Sequence, residues 1–141
     1  MVDMDTKQYL GQIKRLEMQI QNKLAEIYQL RTMAESITVA TDKERVDSSG
    51  DKDKLGCIMA RIVDMETEVD KMVDKRCDIV AQIDGMEDTE SYDVLAKVYI
   101  LDRDLKAIAI EKSISYKTFS RLYKKALKEF EEKYLKCPQV S

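Results

Sequence analysis

The chain has 141 residues, 44% of them hydrophobic and 36% charged, enough for one compact domain or two small ones and too few for a large enzyme core. Four glycines, one proline and 6% aromatic residues leave few turn-makers for a many-stranded sandwich or barrel, so composition favours an all-α protein. Histidine is absent, which excludes a histidine base, a Ser-His-Asp triad and histidine metal ligation, and no enzymatic activity is expected.

Cys57, Cys77 and Cys137 show no CxxC spacing, and a zinc site of thiolates alone needs a fourth, so neither a structural metal nor any other cofactor is expected. Cys57 and Cys77 fall on one predicted helix about 30 Å apart, beyond disulfide reach, and read as free thiols of a reducing compartment. The start, MVDMDTKQYLGQ, has neither a basic n-region nor an apolar h-region, and no run of about 18 apolar residues occurs. The expected location is therefore the cytoplasm, with no membrane partner.

From Thr6 to Ile37 the apolar positions Tyr9, Ile13, Leu16, Ile20, Leu24, Ile27, Leu30, Ala34 and Ile37 recur by threes and fours, which predicts a long amphipathic helix interrupted in its seam by Lys23. The charged segment Thr38 to Lys54, with Ser48-Ser49-Gly50 and no apolar period, predicts a flexible connector. From Leu55 the residues Ile58, Ile62, Met65, Val69, Met72, Arg76, Ile79, Ile83 and Met86 alternate intervals of three and four, the strongest structural signal in the chain. Met59, Val73 and Val80 widen that stripe beyond a two-stranded seam. The two helices are expected to pair antiparallel as a coiled-coil-like hairpin. Ile58, Ile62, Met65, Val69 and Met72 are expected to be covered by the first helix and by a second copy, which makes residues 1–86 a dimerisation region.

Gly85 and the run Glu87-Asp88-Thr89-Glu90 punctuate the chain, with Asp88 or Thr89 the N-cap of a third helix whose inner face is Tyr92, Leu95, Ala96, Val98 and Tyr99. The pattern restarts at Leu105, Ile108 and Ala109, breaks at Ser113-Ile114-Ser115, and resumes at Phe119, Leu122, Tyr123, Ala126, Leu127, Phe130 and Tyr134, until Pro138 ends it. Residues 87–141 thus form a tri-helical unit. Charge divides with it: residues 1–93 hold 13 Lys+Arg against 21 Asp+Glu, net −8, and residues 94–141 hold 11 against 6, net +5. A basic end on an acidic body fits one end meeting a polyanion.

Asp104 to Tyr134 reads as a helix-turn-helix, with Ser115 capping the second helix and Ile114 filling the angle of the turn. That helix directs Tyr116, Lys117, Thr118, Ser120, Arg121, Lys124 and Lys125 away from its apolar stripe, a set of cations and hydrogen-bonding groups without an acid. Such a face can neutralise phosphates and present Arg or Lys to guanine edges in a major groove of double-stranded DNA.

The stretch SISYKTFSRLYKKAL, Ser113 to Leu127, resembles region 4 of bacterial primary sigma factors, and the whole arrangement is similar to phage and prophage transcription regulators of the RinA and ArpU type. The resemblance spans most of the chain in architecture and about 40 residues in motif. It implies a DNA-binding transcriptional regulator in a bacterial host cell, with Lys117, Thr118 and Arg121 at base-facing positions, Lys124 and Lys125 at backbone-facing ones, and host RNA polymerase as a further partner. Two positions depart from the pattern: Ser113 stands at a turn position commonly occupied by glycine, and Lys112 where an apolar residue usually helps close the core. A second reading of the same residues is a helical interaction module, without DNA binding, that modulates a host nucleic-acid-binding protein. A third, a metal site among Asp64, Glu66, Glu68, Asp70, Asp74 and Asp78, competes with plain solvation of an outer helix face.

Overall fold

A computed structural model describes residues 5–44 and 49–136, with the side chains of 40–49 and 51 outside that description. The chain is all-α. Helices α1 (Thr6–Glu44) and α2 (Ser49–Asp84) form a long antiparallel pair, and three shorter helices follow: α3 (Thr89–Leu95), α4 (Leu105–Glu111) and α5 (Tyr116–Phe130). One π turn, Ala96–Ile100, extends α3 and another, Glu131–Leu135, extends α5. Among the described residues there is no strand, and no helix is long and apolar enough to cross a membrane.

The expected connector from Thr38 to Lys54 is corrected: α1 continues through Glu44 and α2 begins at Ser49, leaving only residues 45–48 outside the described residues. A charged segment without an apolar period lacks a reason to be buried, not a reason to avoid a helix. With no proline to interrupt the backbone hydrogen bonds, helices already nucleated by the paired seam propagate into it. Pro138 and Cys137 lie outside the described residues; Cys57 and Cys77 are free and exposed.

The chain divides into two compact units, one of Met1–Leu16 with Lys75–Ser141, the other Glu17–Asp74. The division falls within the lengths of α1 and α2. In the unit Glu17–Asp74, Ile20 and Ile27 of α1 form one buried cluster with Ile62, Met65 and Val69 of α2, and half-buried Leu30, Ile58 and Met72 close its edges. Ile62 and Met65 are 1% and 0% exposed within a single chain. The first helix thus covers Ile62, Met65 and Val69 within a single chain, as expected, and leaves Ile58 and Met72 half-buried. Lys23, the break in the seam, carries its ammonium out to Glu68, 2.8 Å away, so its stem covers apolar surface while its charge is paired.

The other unit has a core drawn from every helix. Leu10 and Ile13 of α1, Ile79 and Ile83 of α2, Val94 and Leu95 of α3, Ile108 and Ala109 of α4, and Phe119, Ala126 and Phe130 of α5 are all buried. The Tyr9 ring lies 5.9 Å from Phe130, its hydroxyl donates to Gln82 at 2.5 Å, and Thr6 Oγ1 donates to Glu131 at 2.8 Å. At the far end of α2, Lys133 Nζ donates to the Gly85 carbonyl at 2.5 Å, satisfying a helix-terminal acceptor. Asp88 caps α3 by accepting from Ser91 N, as the spacing predicts. The inner face of α3 is corrected to Ser91, Val94 and Leu95, with Tyr92 exposed.

Candidate nucleic-acid interface

A helix-turn-helix presents a usable surface only if its turn is fixed, and three local devices fix this one. Asp104 caps α4 by accepting from Ala107 N at 3.3 Å. At the other end of α4, Ile114 N donates to Ala109 O and Ser113 N to Ile110 O, both at 3.0 Å, the paired bonds of a Schellman motif. That motif needs a left-handed residue just past the cap, and Ser113 adopts it with φ of 60°. The position that favours glycine is thus held by a serine at some conformational cost. Ser115 then caps α5, its hydroxyl accepting from Thr118 N at 3.1 Å.

Lys112 explains how the unit tolerates a charge where an apolar residue usually packs. Its ammonium lies 2.6 Å from Asp93 and 3.5 Å from Glu90 on α3, and Lys97 reaches the same Asp93 carboxylate at 3.1 Å. Burial pushes the Asp93 carboxyl up, but hydrogen bonds from Lys112 and Lys97 outweigh it and hold the group below the usual aspartate range. The hydrogen bond that Lys112 donates to Asp93 raises Lys112 above an ordinary lysine, against a smaller opposing effect of burial. An ionic clamp between α3 and the end of α4 replaces the missing apolar contact. The nearby apolar side chain, Ile110, does not take its place, being 77% exposed.

On α5 the buried side is Phe119, Ala126, Leu127 and Phe130. At about 100° per residue, Lys117, Arg121, Lys124 and Lys128 fall in one straight stripe diametrically opposite it. Lys117, Arg121 and Lys124 are exposed and make no ion pair among the described residues; Lys128 is also exposed and lowers the nearby Glu131 carboxyl as a minor influence behind Lys136 and Thr6. Exposed Thr118 and half-buried Ser120 flank the stripe, although the Thr118 hydroxyl is engaged by Ser115 at 3.0 Å. Tyr116 is about half exposed and leans on Phe119, ring centroids 6.5 Å apart. Lys125 sits at the edge, 3.8 Å from Glu129 and 3.9 Å from Asp88, and so is less available than the sequence reading has it. Lys128 is the residue missing from that reading. It lies one turn beyond Lys124 on the same face, and angular spacing alone identifies it.

Fold and surface together define a helical-hairpin protein ending in a helix-turn-helix whose outer helix carries an open cationic stripe. The chain belongs to the family described as a protein of unknown function, DUF1492, whose model matches residues 46–131, more than half of the chain. The matched stretch contains α3, α4 and α5 in full. No curated protein and no solved structure matches the chain.

Proposed function

We propose that this chain is a phage or prophage regulator that binds double-stranded DNA by laying α5 in the major groove. The observation that carries the proposal is the stripe of Lys117, Arg121, Lys124 and Lys128, exposed and opposite the buried face of a helix whose entry angle is set by the Schellman turn at Ser113. Lys117, Arg121 and Lys124 make no ion pair among the described residues, so none must first be broken for them to meet phosphates. A helix that is the outer member of a two-helix turn is also the geometry that admits side chains to base edges. The sigma-like sequence of Ser113 to Leu127 points the same way.

The test separates phosphate attraction from base reading. Bound fragments are selected from bacterial and phage genomic DNA, and affinity is measured by fluorescence anisotropy over a salt series for the selected site and for random DNA. Lys124→Ala is expected to weaken binding to both and to lower the salt slope by about one unit. Arg121→Ala is expected to cost about 1–3 kcal/mol on the selected site and much less on random DNA. Equal losses for both variants on both DNAs, or no salt-dependent binding at all, refute specific recognition and favour an interaction module.

A further inference from the structure

From Tyr116 to Lys128, α5 carries no aspartate, glutamate, asparagine or glutamine. The side chains of its stripe, Lys117, Arg121, Lys124 and Lys128, are donors only: an ammonium offers three N–H bonds, a guanidinium five, and neither accepts. The hydroxyl beside them is turned the same way. Thr118 Oγ1 accepts from Ser115 Oγ at 3.0 Å while Ser115 Oγ accepts from Thr118 N at 3.1 Å, which leaves the Thr118 hydroxyl proton for a partner. Ser120 is half-buried and stands well to one side of the stripe. On α4 the exposed residues ahead of the turn are Lys106, Ala107 and Ile110, and its one acid, Glu111, is held by Arg103 at 2.8 Å. The stripe thus meets a base edge with hydrogens and without a carboxylate or amide oxygen.

We infer that the DNA which α5 selects carries two guanines on one strand, adjacent or separated by one base, an assignment that rests on the reading of α5 as a DNA-binding helix. In the major groove guanine shows two neighbouring acceptors, N7 and O6. Adenine sets an amino donor beside its acceptor, cytosine shows an amino donor, and thymine shows one acceptor beside a methyl group. A donor-only side chain gains two hydrogen bonds at guanine and meets a second donor at an amino group. Bidentate reading of adenine takes an amide, and reading of cytosine takes a carboxylate, and the stripe has neither. The Arg121 guanidinium fits the N7 and O6 pair with two parallel N–H bonds, and the Lys117 ammonium can spend two of its hydrogens likewise. Lys117 and Arg121 leave the helix within about 40° of each other and about 6 Å apart along its axis. Base pairs rise by about 3.4 Å, so the two side chains reach neighbouring or next-neighbouring pairs, and their common direction keeps both on one strand. A straight helix leaves the curved groove beyond its first turns, which carries Lys124 and Lys128 to the phosphates.

The test presents the full chain with a pool of duplexes randomised at their centre and recovers bound sequences over successive rounds. The recovered sites are expected to share GG or GNG on one strand. In the preferred site each of these guanines is then replaced by 7-deazaguanine, which removes N7 and leaves base pairing and phosphates intact, and separately by inosine, which keeps both N7 and O6. 7-Deazaguanine at either position is expected to raise the dissociation constant about fivefold or more, and inosine to leave it within about twofold. In Arg121→Ala, an exposed position where far-UV circular dichroism is expected to show unchanged helicity, 7-deazaguanine at one of the two positions is expected to cost nothing further. Selective, salt-dependent binding to sites without such guanines, or binding that 7-deazaguanine leaves unchanged, overturns the guanine assignment and leaves DNA recognition standing. Recovery of no sequence above the starting pool overturns both.

Discussion

Replacing Lys112 by methionine and Asp93 by asparagine, singly and together, measures what the ionic clamp contributes. The ammonium and carboxylate are 2.6 Å apart with side chains 15% and 32% exposed, between a surface pair and a buried one. Hydrogen bonds to charged groups contribute about 1.5–3 kcal/mol. Lys97 continues to serve Asp93 when Lys112 is gone, which places the expected coupling near the lower figure, about 1.5 kcal/mol, or about 5 °C in melting temperature for a chain of this size. Six of the seven tyrosines belong to this unit, so urea denaturation followed in the near-UV reports on it selectively. The pH dependence has a definite sign on each side. Asp93, held below its ordinary value of 3.8, contributes fully above that pH and loses its contribution as pH falls through the lowered value. Lys112, raised above 10.5, contributes below that pH and loses its contribution as pH rises through the raised value. The coupling is thus flat through neutrality and disappears in strong acid. A value below about 0.5 kcal/mol at neutral pH, typical of exposed pairs, refutes the clamp.

Ser113→Gly is expected to raise the urea midpoint: relief of a left-handed serine, about 1–2 kcal/mol, exceeds the added backbone entropy of glycine, about 0.5–1 kcal/mol. Gly85→Ala places a Cβ 2.5 Å from the Tyr134 hydroxyl, so the ring must shift, and a loss of about 1–2 kcal/mol is expected in the same titration. A fragment of residues 87–136 lacks Leu10, Ile13, Ile79 and Ile83 from its core and is expected to be unfolded; dispersed amide resonances from it would show the core to be self-sufficient.

The apolar spacing of α1 and α2 made the hairpin legible, and the caps at Asp88 and Ser115 were readable from residue type and position alone. What the pattern hid follows from its own regularity. Ile79 and Ile83 continue the heptad begun at Leu55 without a change of interval, although they belong to a different core from Ile62 and Val69. Heptad positions say that a seam is filled, not by which chain; here α1 fills it at Ile62, Met65 and Val69. On α5 the cationic face was legible from its freedom from acids; Lys128 escaped because Glu129 and the acids after it mask it in linear sequence, whereas helical angle separates them.

The hydrogen bond from Thr6 to Glu131 joins residues 125 positions apart. On a ribosome adding about 5–20 residues per second, the first turn of α1 waits roughly 6–25 s before its partner exists. The cluster of Ile20, Ile27, Ile62, Met65 and Val69 is complete far sooner. Synthesis therefore completes the core of the Glu17–Asp74 unit while the cationic helix α5 is still unmade.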